Sequence, residues 1–513
     1  MQQRIAGVLI PLFSLRTTGD LGRGEIGGLV PMARFALATG HRMIQLLPID
    51  ETAPGETSPY SAMSVLAIDP RYISARGLYG VDAGGIEAAR VIAGPGEPAN
   101  PVKLHAAKMN LLRKSFEHFH ATAGASDGVA REEFEHRNRE WLGDYALFRA
   151  LKEKFGWREW ASWPDGLNRR EPASLKLAAR DLAAEVSFYS YVQFVAHRQW
   201  HEVRAELARM GVLLGGDLAF SPCRESAEVW ANQELFDLTR SVGSPPDAFS
   251  ADGQRWGLPM PNWKRMRAGG FSLIRSRVRH AREFFDLLRI DHVVGLFRTY
   301  AFRSKAGAPG HFDPPAEEDQ RAQGEELIRI AKEEAGAMTI FAEDLGVVPA
   351  FVRESLRALG VPGYKVMRWE REWNEPTQPF IKPADYPELS VATTGTHDTD
   401  TMADWWRAAN VAERNQFVTA YGLDEAIDVR RDALADSAVE AILAAFYAAP
   451  SRIVIAPVQD LFGWDARVNV PGTVSATNWK WRLPFTLDGP QKDPKLNARI
   501  AALQAIASRT GRI

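Results

Sequence analysis

The sequence has only one cysteine, Cys223, so no disulfide can form within the chain and stability must come from packing, as is usual in a reducing compartment. A cytoplasmic protein is therefore expected. Nor is there an excess of one charge. Lys and Arg total 62 against 64 for Asp and Glu, a net charge of −2, which gives no global field to draw nucleic acid or an anionic membrane. No apolar run approaches the roughly 18 residues that a membrane helix needs. The one targeting candidate, Ala6-Gly-Val-Leu-Ile-Pro-Leu-Phe13, is short for a signal segment, carries a proline and is followed by no small-x-small cleavage site. It reads as a strand. Internal repeats and low-complexity tracts are also missing.

What is present is a chain of 513 residues, 45% hydrophobic and 25% charged, the balance of a soluble globular protein with a large core. Length alone allows two or three domains, or one large barrel with insertions. Short apolar runs bounded by turn residues fall at 7–11, 43–48, 212–218, 287–292, 339–345, 364–369, 391–398 and 452–460. Eight such runs, most followed by a helical pattern, predict an α/β fold, a (β/α)₈ TIM barrel over 1–513 with its active site at the C-terminal ends of the strands.

The uneven spacing of the runs places the insertions. The segment between the second and third runs is far longer than a crossover helix requires. Helical patterns at 102–120, 131–155 and 172–210 predict a mostly helical subdomain over 75–210. A second insertion, 219–285, contains a Pro-, Gly- and Trp-rich stretch at 245–263, which reads as a shaped loop over the barrel mouth, in the position of a lid.

The polar residues that end the runs are the candidates for chemistry. In Leu287-Leu-Arg-Ile-Asp-His292, strand alternation puts Arg289 and Asp291 on one face and His292 on the other. Arg289 could hold Asp291 ionised, as a carboxylate nucleophile requires. Asp291 could equally form a buried ion pair or cap the next helix. Glu343, in Thr339-Ile-Phe-Ala-Glu-Asp-Leu-Gly346, would enter the mouth among apolar neighbours, where desolvation keeps a carboxyl protonated for general-acid work; capping is the alternative for Glu343 or Asp344. His397 and Asp398 close the seventh run and could be metal ligands, a base pair or a clamp for vicinal hydroxyls. Asp217 ends the third run and Asp460 the eighth.

Acidic residues ending five strands of one barrel are hard to assign to capping alone. Two carboxylates from neighbouring strands, one beside Arg and one in an apolar setting, suit retaining glycoside chemistry, with the pair about 5–5.5 Å apart. A neutral, hydroxyl-rich sugar also fits the charge balance and the 15 tryptophans. Trp256, in the expected lid, is the best placed of these to touch substrate.

These motifs resemble the 4-α-glucanotransferases called amylomaltases or disproportionating enzymes, relatives of the α-amylases. The resemblance runs nearly end to end. It is carried by Pro11-Leu-Phe-Ser-Leu-Arg16, Ser58-Pro-Tyr-Ser61, Gly216-Asp-Leu218, Val229-Trp-Ala-Asn232, Gly253-Gln-Arg-Trp-Gly257, Arg289-Ile-Asp-His292, Ala342-Glu-Asp-Leu-Gly346, Gly395-Thr-His-Asp398, Asn469-Val-Pro-Gly-Thr473 and Asn478-Trp-Lys-Trp-Arg482. It implies Asp291 as nucleophile, Glu343 as acid/base and Asp398 as transition-state stabiliser. Arg289, His397 and Asp217 would line the same subsite, Tyr60 would stack on it, Trp256 would cover the acceptor side, and Asp344 and Asn469 would add polar contacts. The resemblance also implies no C-terminal β domain, no metal or cofactor, and α-1,4-glucan and maltooligosaccharide substrates.

Departures from the family pattern include Ala62, Asp69, Pro261 and Met367-Arg-Trp369. None of them touches the three carboxylates. Rival readings are an α-glucan hydrolase with the same residues, a catalytically silent glucan-binding protein on the same barrel, and a metal-dependent barrel hydrolase using His292 and His397. The last would need His292 in the mouth, whereas alternation turns it away.

Overall fold

A computed structural model describes residues 4–246, 253–303 and 310–513. Eight parallel strands close into a barrel in chain order: Ile5–Leu9, Met43–Gln45, Leu213–Leu218, Leu287–Ile290, Thr339–Ala342, Gly363–Val366, Ser390–Thr393 and Ile453–Pro457. The first strand pairs with the eighth from Ile5 against Ile453, which shuts the ring. Buried on both faces, parallel strands read as continuous apolar runs, and each expected run overlaps one barrel strand. Several runs overshoot at their C-terminal ends, where Asp291, Glu343 and Asp398 lie past the last strand residues, Ile290, Ala342 and Thr393, on the extensions that rim the mouth.

A hairpin of Asp50–Thr52 and Ala62–Ile68 follows the second strand. Helices Ala83–Ala93, Pro101–Thr122, Ala125–Arg137, Leu142–Lys154, Pro172–Asp181 and Ala183–Arg209 then lead to the third strand. The helix expected over 131–155 is in fact two. Asn138 ends the first, its amide donating to the Phe134 carbonyl (2.9 Å) while its side-chain oxygen accepts from Trp141 Nε1 (2.9 Å), a local competition with helical bonding typical of Asn.

One buried ion pair joins these helices to the hairpin. Arg149 Nε lies 2.8 Å from Glu51 Oε1, both side chains fully buried, and Tyr145 donates to the other oxygen at 2.5 Å. Glu51→Leu should lower stability by about 3–5 kcal/mol, because it strands a buried guanidinium without its partner. The shift in denaturation midpoint measures it.

The lid reading needs correction. A strand, Gln254–Pro261, occupies much of the expected loop and pairs antiparallel with Phe236–Ser244; residues 247–252 of the expected lid lie outside the described residues. This strand is the edge of a four-stranded sheet completed by Thr299–Arg303 and His311–Asp313. An edge position tolerates prolines that a central ladder would not, so Pro259 and Pro261, which suggest a loop, sit in a strand. Beyond the eighth barrel strand the described residues form helices Val458–Phe462 and Pro494–Arg509 and no further sheet.

Candidate active site

Strand register brings the two central carboxylates together. Ala342 is paired with Ile290, Glu343 N donates to Ile290 O (2.9 Å), and Val293 N donates to Glu343 O (3.1 Å). Asp291 and Glu343 therefore stand side by side at the C-terminal ends of neighbouring strands.

Arg289 lies beneath them. Its Nη1 donates to both oxygens of Asp217 (2.7 and 2.8 Å) and stands 2.8 Å from Asp291 Oδ1. Asp217 is paired with Arg289 in the strand register, so the contact crosses directly from the third to the fourth strand. The Arg289 side chain is 7% exposed and that of Asp217 fully closed off, whereas Asp291 is 23% exposed. The guanidinium is thus a buried cation that its carboxylate partners keep charged despite burial, with one acid locked behind it and one open to the mouth.

Glu343 has a different environment. Burial drives its carboxyl up to about 7, reinforced by the nearby Asp291 charge and opposed by Arg289. The backbone N–H groups of His292 (2.9 Å) and Leu345 (3.0 Å) hold its two oxygens in place. The two neighbouring carboxyls thus sit in different settings, Asp291 partly open beside a guanidinium and Glu343 buried with a raised pKa.

Asp398 enters from the seventh strand. Burial would raise its pKa, but the His397 ring 3.3 Å away and the Asn469 amide 2.6 Å from Oδ1 overcome this and hold it at about 2. His397 is shifted upward in return, the Asp398 charge outweighing its burial. Tyr60 stacks on His397 with ring centroids 5.1 Å apart and donates to Asp217 Oδ2 at 2.6 Å. Asn469→Ala removes a hydrogen bond to a charged group, about 1.5–3 kcal/mol, and should reduce kcat/KM roughly 10- to 100-fold with the fold unchanged. Steady-state kinetics beside circular dichroism check this.

Several expected residues are held by partners within the protein. Asp217 has both oxygens hydrogen-bonded, to Arg289 and to Tyr60. Asp344 likewise accepts from Tyr364 N (2.7 Å) and Arg353 Nε (3.3 Å), tying the fifth strand to the sixth. Asp460 accepts from Thr394 Oγ1 (2.6 Å) and Met402 N (2.7 Å), bracing the loop that carries His397 and Asp398. His292 does not follow strand alternation. The strand stops at Ile290 and His292 adopts φ 46°, so its ring packs edge-on to Trp256 (4.8 Å) and Phe220 (5.6 Å). Trp256 is thereby fixed next to the C-terminal end of the fourth strand.

Two contributors went unassigned in the sequence. Arg467 Nη2 donates to the Asp398 carbonyl (2.9 Å), and Trp479, at φ 63°, packs against Tyr60 (5.9 Å) and His397 (5.7 Å). A left-handed tryptophan costs on the order of 1–3 kcal/mol and is retained at sites that surrounding structure enforces. The Trp-rich string 478–482 past the last strand was the available signal.

The chain is similar to known proteins along nearly its whole length. A family model described as 4-alpha-glucanotransferase matches residues 10–487. A 4-alpha-glucanotransferase of Thermus thermophilus is 34% identical, with 99% of each chain covered, and one of Chlamydia pneumoniae is 32% identical over 96% of this chain and 94% of that one. Among solved structures, an amylomaltase from Streptococcus agalactiae in complex with acarbose superposes with a TM-score of 0.84 at 27% identity, covering 99% of this chain and 100% of that chain.

Proposed function

This chain belongs to the 4-alpha-glucanotransferase family, of the amylomaltase type, and from that premise we propose that Asp291, Glu343 and Asp398 carry its transfer reaction. The observation that carries this reading is the split between Asp291, open and beside a buried guanidinium, and Glu343, held protonated near neutrality on the adjacent strand.

An α-1,4-glucan lies across the mouth with its scissile bond between these two groups. Glu343 donates its proton to the glycosidic oxygen while Asp291 attacks the anomeric carbon, so the C1–O bond breaks and a covalent glycosyl-enzyme forms. The fragment bearing the new 4-hydroxyl leaves. Glu343, now a base, takes the proton from the 4-hydroxyl of an acceptor glucan or glucose, which attacks the same carbon and frees Asp291 with net retention. Asp398, kept ionised by His397 and Asn469, bonds the hydroxyls of the reacting sugar, and Tyr60 supplies an aromatic face beside it.

Transfer prevails over hydrolysis when the acceptor site holds sugar and excludes water. Trp256, braced on His292, is the group placed to do this. Trp256→Ala should raise the hydrolysed share several-fold while the fold and donor cleavage persist, read as free glucose released per cleavage event. The helical segment 75–210 and the insertion 219–285 decorate the barrel in this reading, the latter carrying the substrate cover. No helix among the described residues is long and apolar enough to cross a membrane, and the free Cys223 accords with a cytoplasmic setting.

Chromatography of products from maltotriose tests the activity. The expected result is redistribution into longer and shorter maltooligosaccharides. Glucose and maltose with nothing longer would make the chain a hydrolase.

A further inference from the structure

Far from the mouth, the long helix Ala183–Arg209 carries His197 and His201 one turn apart on the same face. Helix Ser272–Phe284 packs beside it and brings Glu283 to that face. One ligating atom of each of these three residues lies within 4.8 Å of those of the other two. We propose that His197, His201 and Glu283 bind a divalent transition-metal ion, zinc best of all.

The donor atoms are free for it. His197 is 3% exposed, yet its Nε2 has no hydrogen-bond partner. A buried polar atom left unpaired is costly unless something occupies it. Among the described residues neither the His201 ring nor the Glu283 carboxylate makes a hydrogen bond or an ion pair. Arg204, one helical turn beyond His201, is spent on Asp286 (3.1 Å) and on the Arg282 and Phe285 carbonyls.

The surroundings are preformed. Phe134 and Phe284 pack edge-on against His197 with centroids 4.9 Å away, and Trp141 and His280 complete its wall at 6.1 and 5.4 Å. His197 is thus held rigid at the inner end by the rings around it. His201 and Glu283 are exposed, with a ligating atom of each within 4.8 Å of one on His197. Two imidazoles and a carboxylate suit zinc, with bonds of about 2.0–2.2 Å and water in the fourth position.

Such an ion would act on the scaffold and not on the reaction. Glu283 lies before the N-terminal end of the fourth strand, whereas Asp291 lies past its C-terminal end. The two helices that the ion would join lead directly into the third and fourth strands, which carry Asp217, Arg289 and Asp291. The ion would therefore clamp the scaffold under the Arg289 network from the opposite end of the barrel. This inference does not depend on the assignment of catalytic roles.

The test is calorimetric titration of ZnCl₂ into chelator-stripped full-length protein, with thermal melts at saturating zinc. One ion should bind per chain, and the Tm should rise by a few degrees, since a ligand that binds only the folded state stabilises it. The exposed positions give variants that leave the core intact: His201→Ala and Glu283→Gln should each weaken binding roughly tenfold or more and lose the Tm gain, while His118→Ala, an exposed histidine elsewhere, should match the parent. Transfer activity on maltotriose should be unchanged in all three. Zinc uptake that fails to saturate at one equivalent, or that is the same in both site variants as in the parent, would overturn the proposal.

Discussion

Asp291→Asn is expected to abolish glucan transfer, with a loss on the order of 10⁴-fold or more, as follows when a covalent nucleophile is removed. The amide cannot form the glycosyl-enzyme, so neither half of the double displacement proceeds. The fold should survive, because Arg289 keeps its two bonds to Asp217 (2.7 and 2.8 Å) and is not left as an unpaired buried charge. A thermal melt close to that of the parent, together with retained maltooligosaccharide binding, separates loss of chemistry from loss of structure. Near-normal transfer would remove Asp291 from the mechanism.

The second large effect is expected at Glu343. Glu343→Gln should reduce transfer from maltotriose by about 10²–10⁴-fold, the range of a general acid–base contribution. A donor with an activated leaving group, such as an α-maltosyl fluoride, needs no protonation and should recover the first step selectively. The parent enzyme should also show an alkaline limb. Burial raises the Glu343 carboxyl to about 7, and the group must be protonated to act as acid, so kcat/KM should fall as pH rises through about 7. The Gln variant should lose that limb when assayed with the fluoride. The same limb persisting in the variant would assign it to another group.

Much of the fold was legible because buried parallel strands are apolar runs with polar ends, and eight of them could be counted. Where each strand stopped was harder to read. Asp291, Glu343 and Asp398 continue the runs in sequence but lie past the last strand residues, and the left-handed turn at His292 breaks an alternation that hydropathy alone extends. The family resemblance points to Asp217 and Asp344, but the partners that hold their oxygens, Arg289 and Tyr364 N, come from neighbouring strands and cannot be read locally. Prolines disguised an edge strand as a loop. The strands Thr299–Arg303 and His311–Asp313, together with the contacts of Trp479 and Arg467, depend on packing between segments far apart in the chain, which no local pattern records. The proposed zinc site is similar in kind. The spacing of His197 and His201 is visible along one helix, but Glu283 joins them only through helix packing.

Trapping the reaction intermediate tests the central claim most directly. Glu343→Gln protein incubated with α-maltosyl fluoride in the absence of acceptor should accumulate a covalent maltosyl adduct, since loading needs no acid and unloading needs the missing base. Proteolysis and mass spectrometry should place the adduct on Asp291. An adduct on Asp398 or Asp217, or rapid turnover to a product of inverted anomeric configuration with no adduct, would contradict the account.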